Sequence, residues 1–251
     1  MEASIAGRMR GAAEAVLDWF YPPHCYHCGE SLAGGPGRIL CGECYKLLVA
    51  SRLVPPLCSL CGLPSPAETV SGRASCIGCR AAERHFDCAR AIFRYAGPAG
   101  SLITSYKFGG EFYLGRRLLD RAWTMGWVAE HCEDAEAVVP VPLHARRERE
   151  RGYDQGVLLA RTLGLLTGKP VCAGALRRIR YTEQQTRLTA AKRRDNVRGA
   201  FRADRDDVRG LRLLLVDDVM TTGATASECS RILKKAGAEK VYVLTIGRTA
   251  P

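Results

Sequence analysis

Four Cys-x-x-Cys pairs near the start of this 251-residue chain constrain its fold more than any other feature. In a pair of this kind, two intervening residues let a tight turn bring both thiolates to one tetrahedral ion, and four thiolates complete the coordination of zinc. The pairs are Cys25/Cys28, Cys41/Cys44, Cys58/Cys61 and Cys76/Cys79. The spacing predicts two consecutive zinc ribbons, with an interleaved pairing as the alternative. Sulfur fills every position, so both Zn²⁺ ions are expected to be structural.

The remaining four of the twelve cysteines lack a partner at metal-binding spacing, and we expect them to be small buried hydrophobic side chains. They are Cys88, Cys132, Cys172 and Cys229. Three histidines lie close to the pairs, but the cysteines already complete both zinc sites. We therefore expect His24, His27 and His85 at the surface or around the sites.

Residues 1–21 do not read as an export signal, because Glu14 and Asp18 interrupt the apolar run. Apolar residues on one helical face predict an amphipathic helix that packs onto the rest of the chain, with a weak membrane-surface role as the alternative. No run of 18 apolar residues occurs, so we expect no integral membrane segment. The prediction is a cytoplasmic, reducing location, with a peripheral position at the inner face of the membrane left open.

Beyond the cysteine pairs, apolar segments of strand length alternate with helical patterns. Strands are predicted over 89–95, 137–141, 211–216 and 240–246, helices over 112–131, 155–166 and 225–236, and a turn at Gly97-Pro98. This alternation predicts an α/β domain with a parallel, right-handed sheet. The expected organisation is an N-terminal helix (1–21), a double zinc ribbon (22–87) and an α/β domain (88–251).

The most informative motif, residues 213–225, reads Leu-Leu-Leu-Val-Asp-Asp-Val-Met-Thr-Thr-Gly-Ala-Thr. Here an apolar strand ends in Asp217 and Asp218, at the edge where parallel sheets bind ligands. The following loop and helix start offer backbone N–H groups and hydroxyls to a phosphate. Paired acids suit a cis-diol and can help hold hydrated Mg²⁺. The motif therefore favours a ribose 5-phosphate, whereas simple helix capping is the alternative interpretation.

Two further segments are predicted beside this motif. Residues 139–155 follow a short strand and carry four arginines, so a loop here suits a second polyanion such as pyrophosphate, although alternating glutamates indicate a partly solvated face. Residues 177–201 are polar and without steady periodicity, which predicts a hood over the site or a mobile charged insertion. The polar side chains noted in this hood are Tyr181, Gln184, Gln185, Arg187, Arg193, Arg194 and Asn196.

The net charge of +11 is concentrated rather than spread over the chain. Residues 140–205 contain sixteen Lys and Arg against six Asp and Glu. A basic surface of this kind indicates a polyanionic ligand. Its location around a phosphosugar motif favours a phosphorylated small molecule first and nucleic acid second.

Residues 213–225 resemble the phosphoribosyl pyrophosphate (PRPP) signature of type I phosphoribosyltransferases. The order of cysteine pairs, Pro-Val-Pro-Leu-His, Arg-Gly-Tyr-Asp-Gln, hood and PRPP motif resembles the ComF family over nearly the whole chain. The fold this resemblance implies is a type I phosphoribosyltransferase-like parallel sheet with helices on both faces, preceded by a small zinc-ribbon region. Asp154 stands where the family usually has Asn, which leaves its hydrogen-bonding role open.

The resemblance also implies roles for individual residues. Asp217 and Asp218 would contact the ribose hydroxyls and Mg²⁺. The 5-phosphate would be bound by Thr221, Thr222, Gly223, Ala224 and Thr225. The pyrophosphate would be bound by Lys107, Pro140, Val141, Pro142, Leu143 and Arg151.

Family membership further implies a link to natural competence, the inward transport of single-stranded DNA. We expect a phosphoribosyltransferase whose acceptor and oligomeric state the sequence does not name. His144 is the candidate general base, although a lone His in a basic loop is more often structural. The alternatives are a PRPP- or nucleotide-sensing module without turnover, and an adaptor that binds single-stranded DNA or a transport protein.

Overall fold

The computed structural model describes residues 23–32, 39–65, 69–70, 73–182 and 195–249. The predicted amphipathic helix over 1–21 lies outside these residues, and so do five of the predicted hood residues: Gln184, Gln185, Arg187, Arg193 and Arg194.

Eight helices and eight strands are defined within the described ranges. The helices are α1 Gly42–Ala50, α2 Ile77–Arg80, α3 Gly97–Phe108, α4 Tyr113–Thr124, α5 Ala129–Cys132, α6 Ala145–Arg151, α7 Gln155–Thr167 and α8 Ala224–Lys235. The strands are β1 Thr69–Val70, β2 Arg73–Ala74, β3 Cys88–Arg94, β4 Ala137–Pro140, β5 Leu176–Arg178, β6 Phe201–Ala203, β7 Arg212–Met220 and β8 Lys240–Arg248.

Four of these strands form one parallel sheet in the order β3-β8-β7-β4. The central pair is the longest, because β7 and β8 run side by side from Arg212↔Lys240 to Met220↔Arg248. A further parallel bridge joins Val138 to Val171 and extends the sheet beyond β4. The predicted parallel α/β sheet is therefore confirmed.

The apolar strands supply a core on each face of this sheet, because successive side chains of a strand point in opposite directions. On one face Leu214 and Val216 pack with the buried residues of α3, α4 and α7. On the other face Leu213 and Leu215 pack with α8. The expected helices on both faces are thus present, and β7 is apolar at both sets of positions.

The two cysteine clusters extend these cores in opposite directions. Cys25 and Cys44 of the first cluster belong to the core of the α3/α4/α7 face, whereas Cys58 and Cys61 of the second belong to the core of the α8 face. Backbone hydrogen bonds also fix this region to β3, at the edge of the sheet: Leu53 N to Ile92 O at 3.0 Å, Arg94 N to Ser51 O at 2.8 Å, and Ala89 N to Leu60 O at 2.7 Å. The exposed edge of the sheet is thereby covered.

Several predicted element boundaries differ from the structure. Gly97-Pro98 begins helix α3 rather than forming a turn, because proline fits the first turn of a helix. The helix predicted over 112–131 ends at Thr124, where Gly126 adopts a left-handed φ of 69°, and α5 follows separately. The arginine-rich segment expected as a loop is helix α6.

Candidate functional site

Within the described part of the chain, two groups of four cysteine sulfurs lie close enough together to hold a metal ion. The first comprises Cys25, Cys28, Cys41 and Cys44, and the second Cys58, Cys61, Cys76 and Cys79, with all sulfurs of a group within 4.8 Å of one another. The consecutive pairing is confirmed, and the interleaved alternative is wrong. Sulfur separations of 3.8 Å (Cys28–Cys41) and 3.6 Å (Cys61–Cys76) match the roughly 3.8 Å edge of a tetrahedral zinc–sulfur site.

Among the unpaired cysteines, Cys229 is fully buried as expected, whereas Cys88 and Cys172 are only half-buried. The described part of the structure does not include the side chain of Cys132. His24 and His27 are exposed as predicted, and His85 is half-buried. His27 Nδ1 lies 2.9 Å from Ser101 Oγ and so helps to join the first ribbon to α3.

The acidic pair does not follow strand β7, as the sequence suggested, but lies within it. Asp217 pairs with Thr245 of β8, and the ladder continues to Met220. The Asp218 backbone N–H donates to Asp217 Oδ1 at 2.8 Å, and the Val219 N–H donates to Asp218 Oδ1 at 2.6 Å. Pairing with β8 therefore holds both carboxylates at fixed positions on the carboxyl edge of the sheet.

Lys107, in the last turn of α3, reaches this acidic pair. Its Nζ lies 2.9 Å from Asp218 Oδ1, and both side chains are mostly buried, with 21% and 5% of their surface exposed. Burial lowers the pKa of Lys107, but the Asp218 and Asp217 carboxylates outweigh this and raise it overall. Burial, followed by the charge of Asp218, raises the pKa of Asp217 well above its usual value. One ammonium therefore balances two neighbouring acids.

The loop after β7 has the geometry of an anion site. Gly223 adopts a left-handed φ of 76° at the N-terminus of the twelve-residue helix α8, a conformation that other residues adopt only with strain. The Ala224 N–H donates to Thr222 Oγ1 at 3.4 Å. A small cavity between the acids and the helix is lined by Asp217, Val219, Met220, Thr221, Gly223, Thr225, Ala226 and Thr245. Three of the five residues expected at the 5-phosphate, Thr221, Gly223 and Thr225, line this cavity.

The Pro-Val-Pro-Leu segment, residues 140–143, lies at the same edge and begins at the last residue of β4. Asp154 holds it in place: Oδ2 accepts from the Leu143 N–H at 3.0 Å, while Oδ1 accepts from the Val157 N–H at 3.1 Å and caps α7. A Cβ added at Gly156 would come within 2.6 Å of Val141 O, so the helix packs directly on the loop. The departure from the family pattern at Asp154 therefore has a structural role.

Two exposed aromatic rings near this segment are covered by arginines. The guanidinium groups of Arg146 and Arg147 lie 5.1 and 5.4 Å from the centre of the Tyr181 ring, and that of Arg151 lies 5.0 Å from the Phe108 ring. His144 is the N-cap of α6: its Nδ1 accepts from the Arg146 N–H at 3.2 Å, and its ring meets Tyr181 edge to face. These contacts support the structural interpretation of His144.

Buried polar atoms without a hydrogen-bond partner in the described residues concentrate around this edge of the sheet. They are Arg84 Nε, Arg151 Nη1, Gln155 Oε1, Arg178 Nε, Asp218 Oδ2 and Arg248 Nε. Native proteins leave few such atoms, so each of them needs an explanation, and a bound ligand is one of the possible partners.

Arg84, Arg178 and Arg248 were not found by sequence reasoning. Arg248, at the end of β8, donates to Met220 O at 3.2 Å and Thr221 O at 2.6 Å and so holds the backbone at the start of the loop after β7. An arginine ending an apolar strand was a usable signal for it. Arg84 lies in the segment after the second ribbon and reaches the loop through tertiary packing alone, without any sequence signal.

A groove of about 960 Å³ lies away from the motif, between the first ribbon and α4. Its lining includes Tyr45, Tyr113, Arg116, Arg117 and Arg121. None of the acids, threonines or glycines of the motif contributes to it, so this groove is separate from the candidate site. No helix in the described ranges is long and apolar enough to cross a membrane.

Comparison with known protein families matches both parts of the chain. The double zinc ribbon domain matches residues 16–80, and the phosphoribosyl transferase domain matches residues 159–248. The solved structure of a glutamine PRPP amidotransferase from Bacillus subtilis is similar over 52% of this chain and 26% of its own, with 26% identity and a TM-score of 0.36. A TM-score this low supports no statement about function.

Curated relatives match nearly the full length. Competence protein F of Haemophilus influenzae is 32% identical over 234 residues, which cover 91% of this chain and 98% of the relative. DNA utilization protein YhgH of Escherichia coli K12 is 31% identical over 91% of this chain and 98% of its own. Competence protein ComFC of Bacillus subtilis is 25% identical over 85% and 86%. With its double zinc ribbon and phosphoribosyltransferase-like fold, the chain belongs to the ComF family of competence proteins.

Proposed function

We propose that this protein binds PRPP with Mg²⁺ at the carboxyl edge of its sheet and transfers the phosphoribosyl group to an acceptor. The ribose hydroxyls lie on Asp217 and Asp218, the 5-phosphate in the loop from Thr221 to Thr225, and the pyrophosphate against residues 140–143 and Arg151. By similarity to the competence and DNA utilization proteins, the reaction serves the handling of DNA that is taken up.

One observation carries the proposal: Asp218 Oδ2 is buried and has no hydrogen-bond partner in the described residues. Asp218 itself is only 3% exposed, and Lys107 contacts its other oxygen. An unpaired buried carboxylate oxygen is costly unless a ligand completes its hydrogen bonds. A ribose hydroxyl donates such a bond, and the adjacent loop accepts the phosphate that the same molecule carries.

The donor set also fits Mg²⁺, which prefers carboxylate oxygens and water and usually reaches phosphates through them. Asp217 and Asp218 would hold the ion, which would neutralise the diphosphate oxygens when bound. The remaining work belongs to this chain. The loop and the acids hold the ribose at both ends, and α6 places arginine charge beside the leaving group.

In the transfer step, the bond from the anomeric carbon to the pyrophosphate oxygen breaks, and its electron pair leaves with pyrophosphate. An acceptor lone pair forms the new bond to that carbon. His144 has its Nδ1 engaged in capping α6, so the chain offers no evident general base from this position. This arrangement fits an acceptor whose attacking atom carries a free lone pair and needs no base to remove a proton first.

Isothermal titration of the zinc-loaded protein with Mg²⁺-PRPP tests the proposal. Wild type should bind, and Asp217→Asn with Asp218→Asn should lose binding while keeping two zinc ions. Release of pyrophosphate in the presence of a panel of bases and amines then tests transfer. Binding without any pyrophosphate release supports the sensing module instead, and no binding by wild type contradicts the proposal.

A second candidate function is single-stranded DNA binding. The exposed rings of Phe108 (63%) and Tyr181 (43%) lie beside arginines, a combination that suits stacked bases and their phosphates. Affinity for an oligonucleotide should then fall steeply with salt. Replacing both rings by Ala should weaken it about tenfold or more, and a flat salt response would contradict this function.

A further inference from the structure

The segment that leaves the second zinc ribbon packs against helix α8 and the loop at residues 221–225, which is called the phosphate loop below. After Cys79 the chain is fixed at successive points: the His85 N–H donates to Ser227 Oγ at 3.2 Å, Phe86 is buried, and the Asp87 N–H donates to Val241 O at 2.9 Å. Asp87 also forms an ion pair with Lys234 of α8 at 2.8 Å. The backbone around residue 84 is therefore held beside the first turn of α8.

The Arg84 side chain points from this segment into the phosphate loop. Its Nη1 lies 3.5 Å from the position that a Cβ on Gly223 would occupy, so the guanidinium lies beside the N-cap residue of α8. Arg84 Nε is buried and has no hydrogen-bond partner among the residues the structure describes. No carboxylate in the described ranges forms an ion pair with Arg84, so its charge is free to meet an anion.

The neighbouring Arg248 differs in this respect. It is 3% exposed, its Nη1 donates to the carbonyl oxygens of Met220 and Thr221, and its side chain lies close to the Cys61 thiol. Arg248 thus joins the second cysteine cluster to the base of the loop, where it supports the backbone. The two arginines lie close enough to repel each other, and each has a buried Nε without a hydrogen-bond partner in the described residues. Arg248 Nη1 is already bound to two loop carbonyls, whereas the Arg84 guanidinium lies beside the glycine of the loop.

We propose that Arg84 is a phosphate-binding residue, supplied by the zinc-ribbon region, that completes the 5-phosphate site of the loop at residues 221–225. The proposal rests on the proposed function, in that the loop receives a phosphate. It assigns the second ribbon a part in ligand binding, because the ribbon fixes the segment that carries Arg84. A guanidinium suits the task, since it presents parallel N–H donors to phosphate oxygens.

The experiment compares Arg84→Gln with wild type by isothermal titration against three probes: ribose 5-phosphate, Mg²⁺-PRPP and pyrophosphate. Arg209→Gln is the matched control, because Arg209 is an exposed arginine against Gly237, at the opposite edge of the sheet. Zinc content and the ligand-free melting temperature establish that each variant is folded.

We expect Arg84→Gln to lower the affinity for ribose 5-phosphate and for Mg²⁺-PRPP about tenfold or more, because a charged hydrogen bond is lost. The affinity for pyrophosphate should stay within about twofold of wild type. Arg209→Gln should leave all three unchanged. Equal affinities of the two variants for ribose 5-phosphate would overturn the proposal. So would an equal loss of pyrophosphate affinity in Arg84→Gln, because that loss would be general rather than local.

The outcomes also separate this proposal from the proposed function. If wild type binds ribose 5-phosphate but not Mg²⁺-PRPP, the proposed function fails, and Arg84→Gln still decides the role of Arg84. If wild type binds none of the probes, both fail. Where Arg84→Gln does not fold, Arg84→Lys replaces it: this variant keeps the charge and loses the paired donors, and ribose 5-phosphate affinity equal to wild type would overturn the proposal.

Discussion

Lys107 Nζ lies 2.9 Å from Asp218 Oδ1 and joins the last turn of α3 to the middle of the motif at residues 213–225. The family resemblance predicts that Lys107 binds pyrophosphate, and in the structure Lys107 contacts the acidic pair. Two adjacent carboxylates repel each other at a buried position, and one ammonium between α3 and β7 reduces that repulsion. The contact therefore keeps the acids in place before a ligand arrives.

Removing this ammonium should destabilise the ligand-free protein. We expect Lys107→Met to lower the free energy of unfolding by about 3 kcal/mol at neutral pH, because it leaves a buried carboxylate without its partner. Urea unfolding measures the change. The double variant Lys107→Met, Asp218→Asn should recover at least half of the loss, since the stranded charge is also removed. A single variant as stable as wild type would show that the ion pair contributes nothing.

The raised pKa of Asp217 predicts a pH dependence of stability. The folded state holds the Asp217 proton more tightly than the unfolded state, so folding loses stability as pH rises from the unfolded pKa, about 4, through the raised folded value. Asp217→Asn removes that loss and keeps an acceptor for the Asp218 N–H. We expect a higher melting temperature than wild type at pH 8 and the same melting temperature at pH 4, without added ligand or divalent cation.

Asp206→Asn is the matched control for this pH experiment, because Asp206 is an exposed aspartate in the turn after β6. Its melting temperature should follow wild type at every pH. The explanation by burial would be wrong if Asp217→Asn were less stable than wild type at pH 8.

The features predicted from sequence are those whose spacing has a local cause. A Cys-x-x-Cys turn brings its own sulfurs together, and the apolar run of β7 followed by a threonine-glycine loop specifies strand, loop and helix in order. Both clusters and the motif were found in this way. The end of β7 was misplaced, because the strand continues through Asp217 and Asp218 only where β8 supplies hydrogen bonds, at Thr245 and Gly247.

Contacts between distant segments were not predictable in the same way. Gly247 illustrates this: a Cβ there would come within 2.8 Å of Ile103 Cδ1, so a glycine in β8 lets α3 pack close to the sheet and bring Lys107 to the acids. Nothing in the sequence around Gly247 indicates the contact with α3, and nothing around Lys107 indicates the contact with the acids. Arg84 likewise reaches Gly223 only because the second ribbon is fixed on β3.

The two zinc sites should differ in what they stabilise. Cys58 is fully buried in the core that includes Val243 of β8, whereas Cys28 is exposed. Cys58→Ser and Cys28→Ser should each reduce zinc content to about one ion per chain. We expect Cys58→Ser to lower the melting temperature by roughly 5–10 °C more than Cys28→Ser, because losing the second site also loosens the sheet core. Equal shifts would show that the second ribbon folds independently of the sheet.

Asp154 provides a test that separates capping from loop positioning. Its two oxygens accept from Val157 N–H and Leu143 N–H, so Asp154→Asn keeps one acceptor for the helix and turns its amide group toward the Leu143 donor. We expect Asp154→Asn to cost about 1 kcal/mol and Asp154→Ala about 2 kcal/mol in urea unfolding, because alanine removes the cap as well. Both variants should lower the affinity for pyrophosphate, since residues 140–143 lose their anchor, and both should leave the affinity for ribose 5-phosphate unchanged.

Thr162→Val is the control within α7, because the Thr162 hydroxyl donates to Leu158 O inside the helix. This variant should leave both affinities unaltered. Full pyrophosphate affinity in Asp154→Ala would show that Asp154 caps α7 and does not position the loop.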